Sequence, residues 1–447
     1  MRRLAAAFAD GQSVRDDTGE YSSLSDPLTG LDNAQCFADR IRSLVGAHFD
    51  TLTSFAVIIL DMDGFKPISD LFGRSAGDRI LQQAAKRLYA VTGAECCVAR
   101  LGADEFGVLL PNVTSEECVV KTVVRLIDTL SEPYEVRSRT ARLTASAGCS
   151  LFQPYADTTE LLLNKAESAL YQAKRRGRGQ FVIYSLEMEK AAKQVTRIEQ
   201  ALRRAIASDE VDAHFQPIVD LSTREIVGFE ALARWTDPEM GPLAPATFIP
   251  IAEERGFISQ LSEIVLRKAT LAANSWPEKY YLSFNLSPTQ LVDQNTVRQI
   301  LGILDSTGFD PKRLEIELTE SGLMTDPSSA AHIIEELRAV GIRISLDDFG
   351  TGQSSLGRLR EFSFDKLKID RTFVSTMLAD RPSEHIVRAI LAMCDGLGVD
   401  VVAEGIEDEA QAERLIEFGC IAGQGFLFGH ARDAETTLNL VHEDRER

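Results

Sequence analysis

From residue 207 to residue 437 the chain alternates short apolar, β-branched runs with stretches of helical period, and that alternation leaves few folds open. The runs Glu225–Phe229, Tyr281–Phe284, Leu314–Ile316, Ile342–Leu346, Phe364–Leu367 and Val399–Ala403 read as strands. Helical stretches such as Ser259–Ala273 and Ala330–Val340 lie between them. This is the pattern of a parallel α/β barrel, whose site gathers at the carboxyl ends of its strands. Those ends carry Glu230, Asn285, Glu317, Asp347, Lys368 and Glu404. One strand-end carboxylate is usually structural, but acids, an Asn and a Lys on so many strands are hard to explain as chance. Clustered carboxylates repel one another, so the arrangement calls for cations. An all-oxygen donor set without His or Cys points to magnesium or manganese rather than zinc.

The segment Ile342-Arg343-Ile344-Ser345-Leu346 alternates apolar and polar residues and ends in Asp347-Asp348, followed by a loop from Gly350 to Ser355. Successive side chains on a strand face opposite ways. Two neighbouring aspartates therefore aim at one place only where the strand has ended and the backbone turns. Two ions would let one Asp bridge and the other bind a single metal. The plainer alternative is a strand-end Asp capping the next helix.

At 447 residues the chain is too long for one ordinary core, so two domains are expected. Acidic residues outnumber basic ones 67 to 48, a formal charge of −19, which disfavours a surface built to coat DNA or RNA. Seven scattered cysteines without a Cys-x-x-Cys pair suggest reduced cytosol rather than a disulfide framework. No apolar run approaches the ~20 residues of a membrane span. Leu4–Ala9 after Arg2-Arg3 is too short for a secretory segment, and a cytoplasmic location is expected.

Residues 1–22 read as a loose lead-in. Phe55–Leu60 reads as a buried strand ending at Asp61-Met62-Asp63, and Ile80–Leu88 as helix. Cys97–Leu101 and Phe106–Leu110, around Gly102-Ala103-Asp104-Glu105, read as a β-hairpin. Carboxylates after a strand and on a hairpin tip could share a metal bound to a nucleoside triphosphate, although spacing alone favours two acidic surface turns.

Asp26-Pro27-Leu28-Thr29-Gly30-Leu31, Asp61-x-Asp63-x-Phe65-Lys66, Gly77-Asp78, Gly102-Ala103-Asp104-Glu105-Phe106 and Ala169-Leu170-Tyr171-x-Ala173-Lys174 resemble the GGDEF domain of diguanylate cyclases, over residues 23–185. The resemblance implies an α+β palm-like domain that binds GTP. Asp61 and Asp104 would hold metal, Asp78 would contact guanine, and Lys66, Lys174 and Arg178 would sit near the phosphates. There are departures. Ala103 replaces the second glycine, where a methyl can obstruct the nucleotide or forbid a positive φ. Ser69 replaces a guanine-binding Asn and loses the amide's paired donor and acceptor. Gly93-Ala94-Glu95-Cys96 stands where an Arg-x-x-Asp product-inhibition motif is expected. These departures imply a degenerate cyclase, and the retained Asp61, Asp104 and Lys174 imply that it still binds GTP, as an allosteric ligand.

The second half resembles the EAL domain of cyclic-di-GMP phosphodiesterases over residues 207–437. The matching runs include Phe215-Gln216-Pro217-Ile218-Val219, Glu230-Ala231-Leu232-x-Arg234, Asn285-Leu286-Ser287, Glu317-Leu318-Thr319-Glu320, Asp347–Gly352, Lys368-Ile369-Asp370, Glu404-Gly405-Ile406-Glu407 and Gln424-Gly425. The resemblance implies a TIM-like (β/α)8 barrel that hydrolyses cyclic-di-GMP to linear pGpG with two magnesium or manganese ions. Glu230, Asn285, Glu317, Asp347, Asp348 and Glu404 would hold metal, with Asp347 bridging and Glu404 also orienting the attacking water. Lys368 would contact that water or the phosphate, acting as a charge rather than as a general base. Gln424 would complete the water network, and Gln216 and Arg234 would bind substrate. Glu320 and Glu407 would support the ligands, with Glu320 pinning the Gly350–Ser355 loop on which dimerisation depends in this family. Gln353 and His430-Ala431 depart from the usual pattern without removing a ligand. Residues 186–206 space apolar positions by three and four and predict a helical linker. The expected whole is a homodimeric phosphodiesterase regulated by GTP. A bifunctional cyclase/phosphodiesterase and a non-catalytic cyclic-di-GMP receptor are the alternatives.

Overall fold

The computed structural model describes residues 24–51, 54–93, 96–136, 139–154, 156–350 and 362–446. Residues 1–22 of the expected lead-in, Ala94 and Glu95, and Thr351–Ser355 of the glycine loop lie outside the described residues. The chain divides into two compact units, with the boundary in the sequence between Ala191 and Ala192.

In the first unit the strands are β1 (Asp32–Asn33), β2 (Ala56–Asp63), β3 (Cys97–Arg100), β4 (Glu105–Leu110), β5 (Tyr134–Val136), β6 (Arg139–Ala141), β7 (Thr144–Leu151) and β8 (Phe181–Ile183). Six of them form one sheet in the order β1-β3-β4-β2-β7-β8, and β5 and β6 pair separately. All eight residues of β2 are buried, as expected of a strand covered on both faces. Asp61 and Asp63 thus lie within the strand and not in a loop beyond it. The helix Thr159–Arg175 lies so close to β7 that a Cβ on Gly148 would sit 2.1 Å from the Ala166 carbonyl and 2.2 Å from the Leu170 nitrogen. These are backbone atoms and cannot step aside as a side chain could. Gly148→Ala should therefore cost this unit about 3 kcal/mol, the upper end for overpacked cores. The check is urea unfolding followed at this unit's transition. A loss below about 1 kcal/mol would mean that the helix can lift off the sheet.

The second unit contains β9 (Asp212–Asp220), β10 (Ile226–Asp237), β11 (Gly241–Leu243), β12 (Tyr281–Leu286), β13 (Leu314–Thr319), β14 (Arg343–Phe349), β15 (Lys366–Ile369), β16 (Asp400–Ala403) and β17 (Ala422–Gln424). Eight of them close a barrel in the order β9-β10-β12-β13-β14-β15-β16-β17, and β11 is added to β10. Neighbours from β10 through β17 pair in parallel, but β9 is antiparallel to both β10 and β17. This departs from the all-parallel barrel that the alternation predicts. The reason is local: a short turn joins β9 to β10, with the Asp220 carboxylate accepting from the Ser222 and Thr223 amides. A connection that short can only reverse the chain, whereas a parallel pair needs a crossover.

The joint is a helix, Leu186–Ala207. Its Ile198, Ala201, Leu202 and Ala205 are buried in the hydrophobic core of the second unit. Burying Ile198 and Leu202 contributes about 1.5–3 kcal/mol each. Among the described residues no helix is long and apolar enough to cross a membrane.

Candidate functional site

Every strand of the barrel sends a polar side chain into one connected network, or is followed by a residue that does. At its centre is Lys368 on β15, 1% exposed. Its Nζ lies 2.5 Å from Glu404, 2.8 Å from Glu317, 3.7 Å from Glu230 and 3.9 Å from Asp347. Glu230 on β10 accepts from Asn285 Nδ2 of β12 at 2.6 Å and from Gln424 Nε2 of β17 at 2.6 Å. Gln424 also donates to Gln216 on β9, which in turn donates to the Gly429 carbonyl. Glu317 lies on β13, Asp347 on β14, and Glu404 directly follows β16. Of the expected ligands, Glu230, Asn285, Glu317 and Asp347 lie inside their strands rather than past the ends. β10 runs on to Asp237, well beyond Glu230.

Four carboxylates face a single ammonium, and the charges respond. Burial, then Glu230, pushes Glu317 well above the usual carboxylate range, and burial raises Glu404 to about 7 despite Lys368. Glu230 goes the other way. Burial would raise it, but Lys368 and the amides of Gln424 and Asn285 hold it below its usual value. Burial would lower Lys368, and Glu230, Glu317 and Glu404 hold it well above the usual lysine value. The site thus carries more negative charge than one lysine offsets.

Asp347 and Asp348 are consecutive, yet both stand at this end of the barrel. The β14–β15 register shifts between Leu346 and Phe349, and Asp348 has φ of 55°. The backbone turns there, as two converging neighbours require. Partial withdrawal from water, then Asp347 and Asp370, raise Asp348 to about 6. The donor set fits hard divalent cations: all oxygen ligands, in excess of the available positive charge. As placed, no three acidic, His or Cys side chains among the described residues close on one ion, because Lys368 holds the centre.

Arg234 follows Glu230 on β10, half-buried, with Nη1 on the Ala233 carbonyl at 2.9 Å. Beside Asn285 opens a cavity of about 260 Å³ lined by Leu232, Pro245, Ile249, Leu286, Pro288 and Thr319. That is below the ~300–1,000 Å³ of sites that enclose a whole drug-sized ligand, so it suits one apolar face of a larger molecule. Glu320 Oε2 is buried without a hydrogen-bond partner among the described residues. Glu407 is exposed, and its amide donates to Gln411. Neither side chain joins the network around Lys368.

In the first unit Lys174 Nζ lies 2.5 Å from Asp61 Oδ2. Burial, then Asp61, raises both Asp104 and Glu105, so Asp61, Asp104, Glu105 and Lys174 share one place. Asp63 is committed elsewhere, accepting from Thr144, Ser146 and the Gly179 amide. Arg100 bridges Asp26 and the Ala103 carbonyl. Ala103 does not adopt a positive φ. Lys66 and Arg178 are exposed, the latter with φ of 61°, and Asp78 is half-buried on the helix Arg74–Thr92. A Cβ on Gly77 would meet Ser69 Oγ at 2.7 Å, so Ser69 and the Gly77-Asp78 pair adjoin.

Sequence reading missed a second polar layer inside the barrel: Ser283, Glu315 and Lys366. Each lies two residues before a site residue on its strand, before Asn285, Glu317 and Lys368. Positions i and i+2 of a strand share a face, and that spacing was the available signal.

Residues 199–431 match the family model of the EAL domain, and residues 23–180 match that of the diguanylate cyclase, GGDEF domain. The chain is 35% identical over 423 residues to the bifunctional diguanylate cyclase/cyclic di-GMP phosphodiesterase MucR of Pseudomonas aeruginosa, covering 94% of this chain and 62% of that protein. It is 36% identical over 411 residues to the cyclic di-GMP phosphodiesterase NbdA of the same organism, covering 90% and 52%. It thus spans about half the length of the curated relatives it matches. A solved structure of the PaMucR phosphodiesterase in complex with c-di-GMP aligns at 37% identity and a TM-score of 0.52, covering 54% of this chain and 99% of that one.

Proposed function

Because this chain belongs to the EAL-domain family and carries a GGDEF domain ahead of it, we propose that its barrel hydrolyses cyclic-di-GMP to linear pGpG. The observation that carries the reading is the network fed by all eight barrel strands, with its acids and amides converging on Lys368. In the reaction water adds to phosphorus, one P–O ester bond breaks, and the proton released by water ends on the departing ribose oxygen. Glu230, Asn285, Glu317, Asp347, Asp348 and Glu404 would hold two magnesium or manganese ions, which lower the pKa of water and offset charge on the phosphoryl oxygens. Gln424 and Asn285 hold the Glu230 carboxylate in its rotamer. Glu404 orients the attacking water, and Lys368 supplies fixed positive charge toward the phosphate. Gln216 and Arg234 bind substrate at the rim, and Glu320 and Glu407 support the ligands from behind, Glu320 also pinning the loop that begins at Gly350. The test is chromatographic. Cyclic-di-GMP with magnesium or manganese should yield pGpG, and excess EDTA should stop it. Substrate that is bound yet stays intact with either metal would replace this reading with the receptor.

The first domain is proposed as a degenerate cyclase that binds GTP through Asp61, Asp104, Asp78, Lys66, Lys174 and Arg178. The Lys174–Asp61 pairing supports a phosphate-side site already assembled. Saturating GTP should raise kcat/KM of the barrel several-fold, and Lys174→Ala should erase that response. Unchanged kinetics at saturating GTP would end the regulatory reading. The description of MucR as bifunctional favours a second reading, in which this domain still makes cyclic-di-GMP. That reading requires cyclic-di-GMP to form from GTP when Glu230 is replaced. A cytoplasmic homodimer assembled through the barrel completes the proposal.

A further inference from the structure

We infer that Ser283 is a positioning residue for Glu317, fixing which carboxylate oxygen faces the cation site; the inference rests on the hydrolase reading above. Ser283 is fully buried on β12, and its Oγ donates to Glu317 Oε1 at 2.6 Å. Glu317 Oε2 is thereby the oxygen that meets Lys368 Nζ, at 2.8 Å. A hydroxyl has one proton to give, and Glu315 competes for it at 3.5 Å. Glu315 is held through its other oxygen, since Lys366 Nζ lies 2.6 Å from its Oε2, with Arg343 Nε 3.9 Å away. The Tyr281 ring packs beneath both cations, at 3.9 Å from Lys366 and 4.6 Å from Arg343. The contact to Glu317, at 2.6 Å against 3.5 Å to Glu315, is the one that takes the serine proton. Without that bond the buried carboxylate would rotate to share both oxygens with Lys368.

Ser345 provides the control. It lies on the neighbouring strand β14, directly opposite Glu317 in register, and is also fully buried. Its Oγ has no hydrogen-bond partner among the described residues. Ser345→Ala removes the same atom without removing a hydrogen bond. Partners behind a metal ligand are worth roughly 10–100-fold in metal affinity or activity. Ser283→Ala should therefore weaken binding of Mn²⁺ alone, titrated calorimetrically, about tenfold or more. Ser345→Ala should bind Mn²⁺ like the wild type. Ser283→Cys, nearly the same shape but a poor donor, should follow Ser283→Ala and carries the test if the alanine variant fails to fold. Equal Mn²⁺ affinity in the wild type and Ser283→Cys, or equal weakening by Ser283→Ala and Ser345→Ala, would overturn the inference. So would a wild type that does not bind Mn²⁺. A wild type that binds Mn²⁺ and leaves cyclic-di-GMP intact would sink the hydrolase reading alone.

Discussion

Glu230→Gln should reduce pGpG formation by roughly a hundredfold to a thousandfold while leaving the barrel folded. The substitution keeps shape and changes two things. It removes one negative charge from the set around Lys368. It also replaces an acceptor-only group with one that is half donor. In the wild type both carboxylate oxygens of Glu230 accept from amide donors, Asn285 Nδ2 and Gln424 Nε2, each at 2.6 Å. A glutamine would set its own NH2 against one of them, so an amide must turn away. If Glu230 is the metal ligand proposed, its loss removes several kcal/mol of charge stabilisation in the transition state. At 1.36 kcal/mol per tenfold, that is the stated loss. Stability should move by little, because a broken hydrogen bond and a relieved carboxylate repulsion oppose each other. The measurement is the initial rate of pGpG formation at saturating Mn²⁺, alongside the thermal midpoint. A rate within tenfold of wild type in a folded variant would remove Glu230 from the proposed ligand set.

The barrel was legible because its signals are local. Strand runs two residues per repeat and helical runs of period 3.6 alternate, and turn residues punctuate them. The direction of β9 was not legible from that alternation. It depends on the Asp220-capped turn, which is short and has no periodicity. The expectation that Asp347 and Asp348 meet only where the strand has ended and the backbone turns held for the turn, seen in the shift in register and the left-handed φ at Asp348, but not for the strand, which runs on to Phe349. The extent of the strands was hidden. Glu230 and Asn285 were expected past the strand ends and lie inside them, since a strand's end is set by its partner's pairing and not by its own residues. Lys368 at the centre of the acids was also beyond the sequence, which orders residues along a strand but not across a barrel. Ser283 and Glu315 could have been read from their two-residue offset to Asn285 and Glu317. They were passed over because a lone buried serine or glutamate in a strand carries no motif.

Lys368→Met tests what that central ammonium does for the fold. Methionine nearly matches its length and packs readily, so the change is mainly one of charge. In the wild type one Nζ stands within 4 Å of Glu404, Glu317, Glu230 and Asp347. Removing one partner from a buried ion pair costs about 3–5 kcal/mol, because the other charge is left uncompensated. Here several carboxylates are left, and protonation of Glu317 and Glu404, already pushed upward by burial, offsets part of the loss. In EDTA the variant should therefore unfold with about 3–5 kcal/mol less stability than the wild type. Manganese should then separate two roles. A ligand at a hundred times its Kd stabilises by about 2.7 kcal/mol. The variant, with its carboxylates released from the ammonium, should gain at least ~1.4 kcal/mol more than the wild type, corresponding to a tenfold tighter site. Its hydrolysis should stay low even at saturating Mn²⁺, because a regained fold does not restore the fixed charge that Lys368 is proposed to supply to the phosphate. Denaturant titrations in EDTA and in Mn²⁺ give all four free energies. If the deficit of the variant were the same in both, Lys368 would be a packing residue, and the carboxylates around it would not be waiting on a cation.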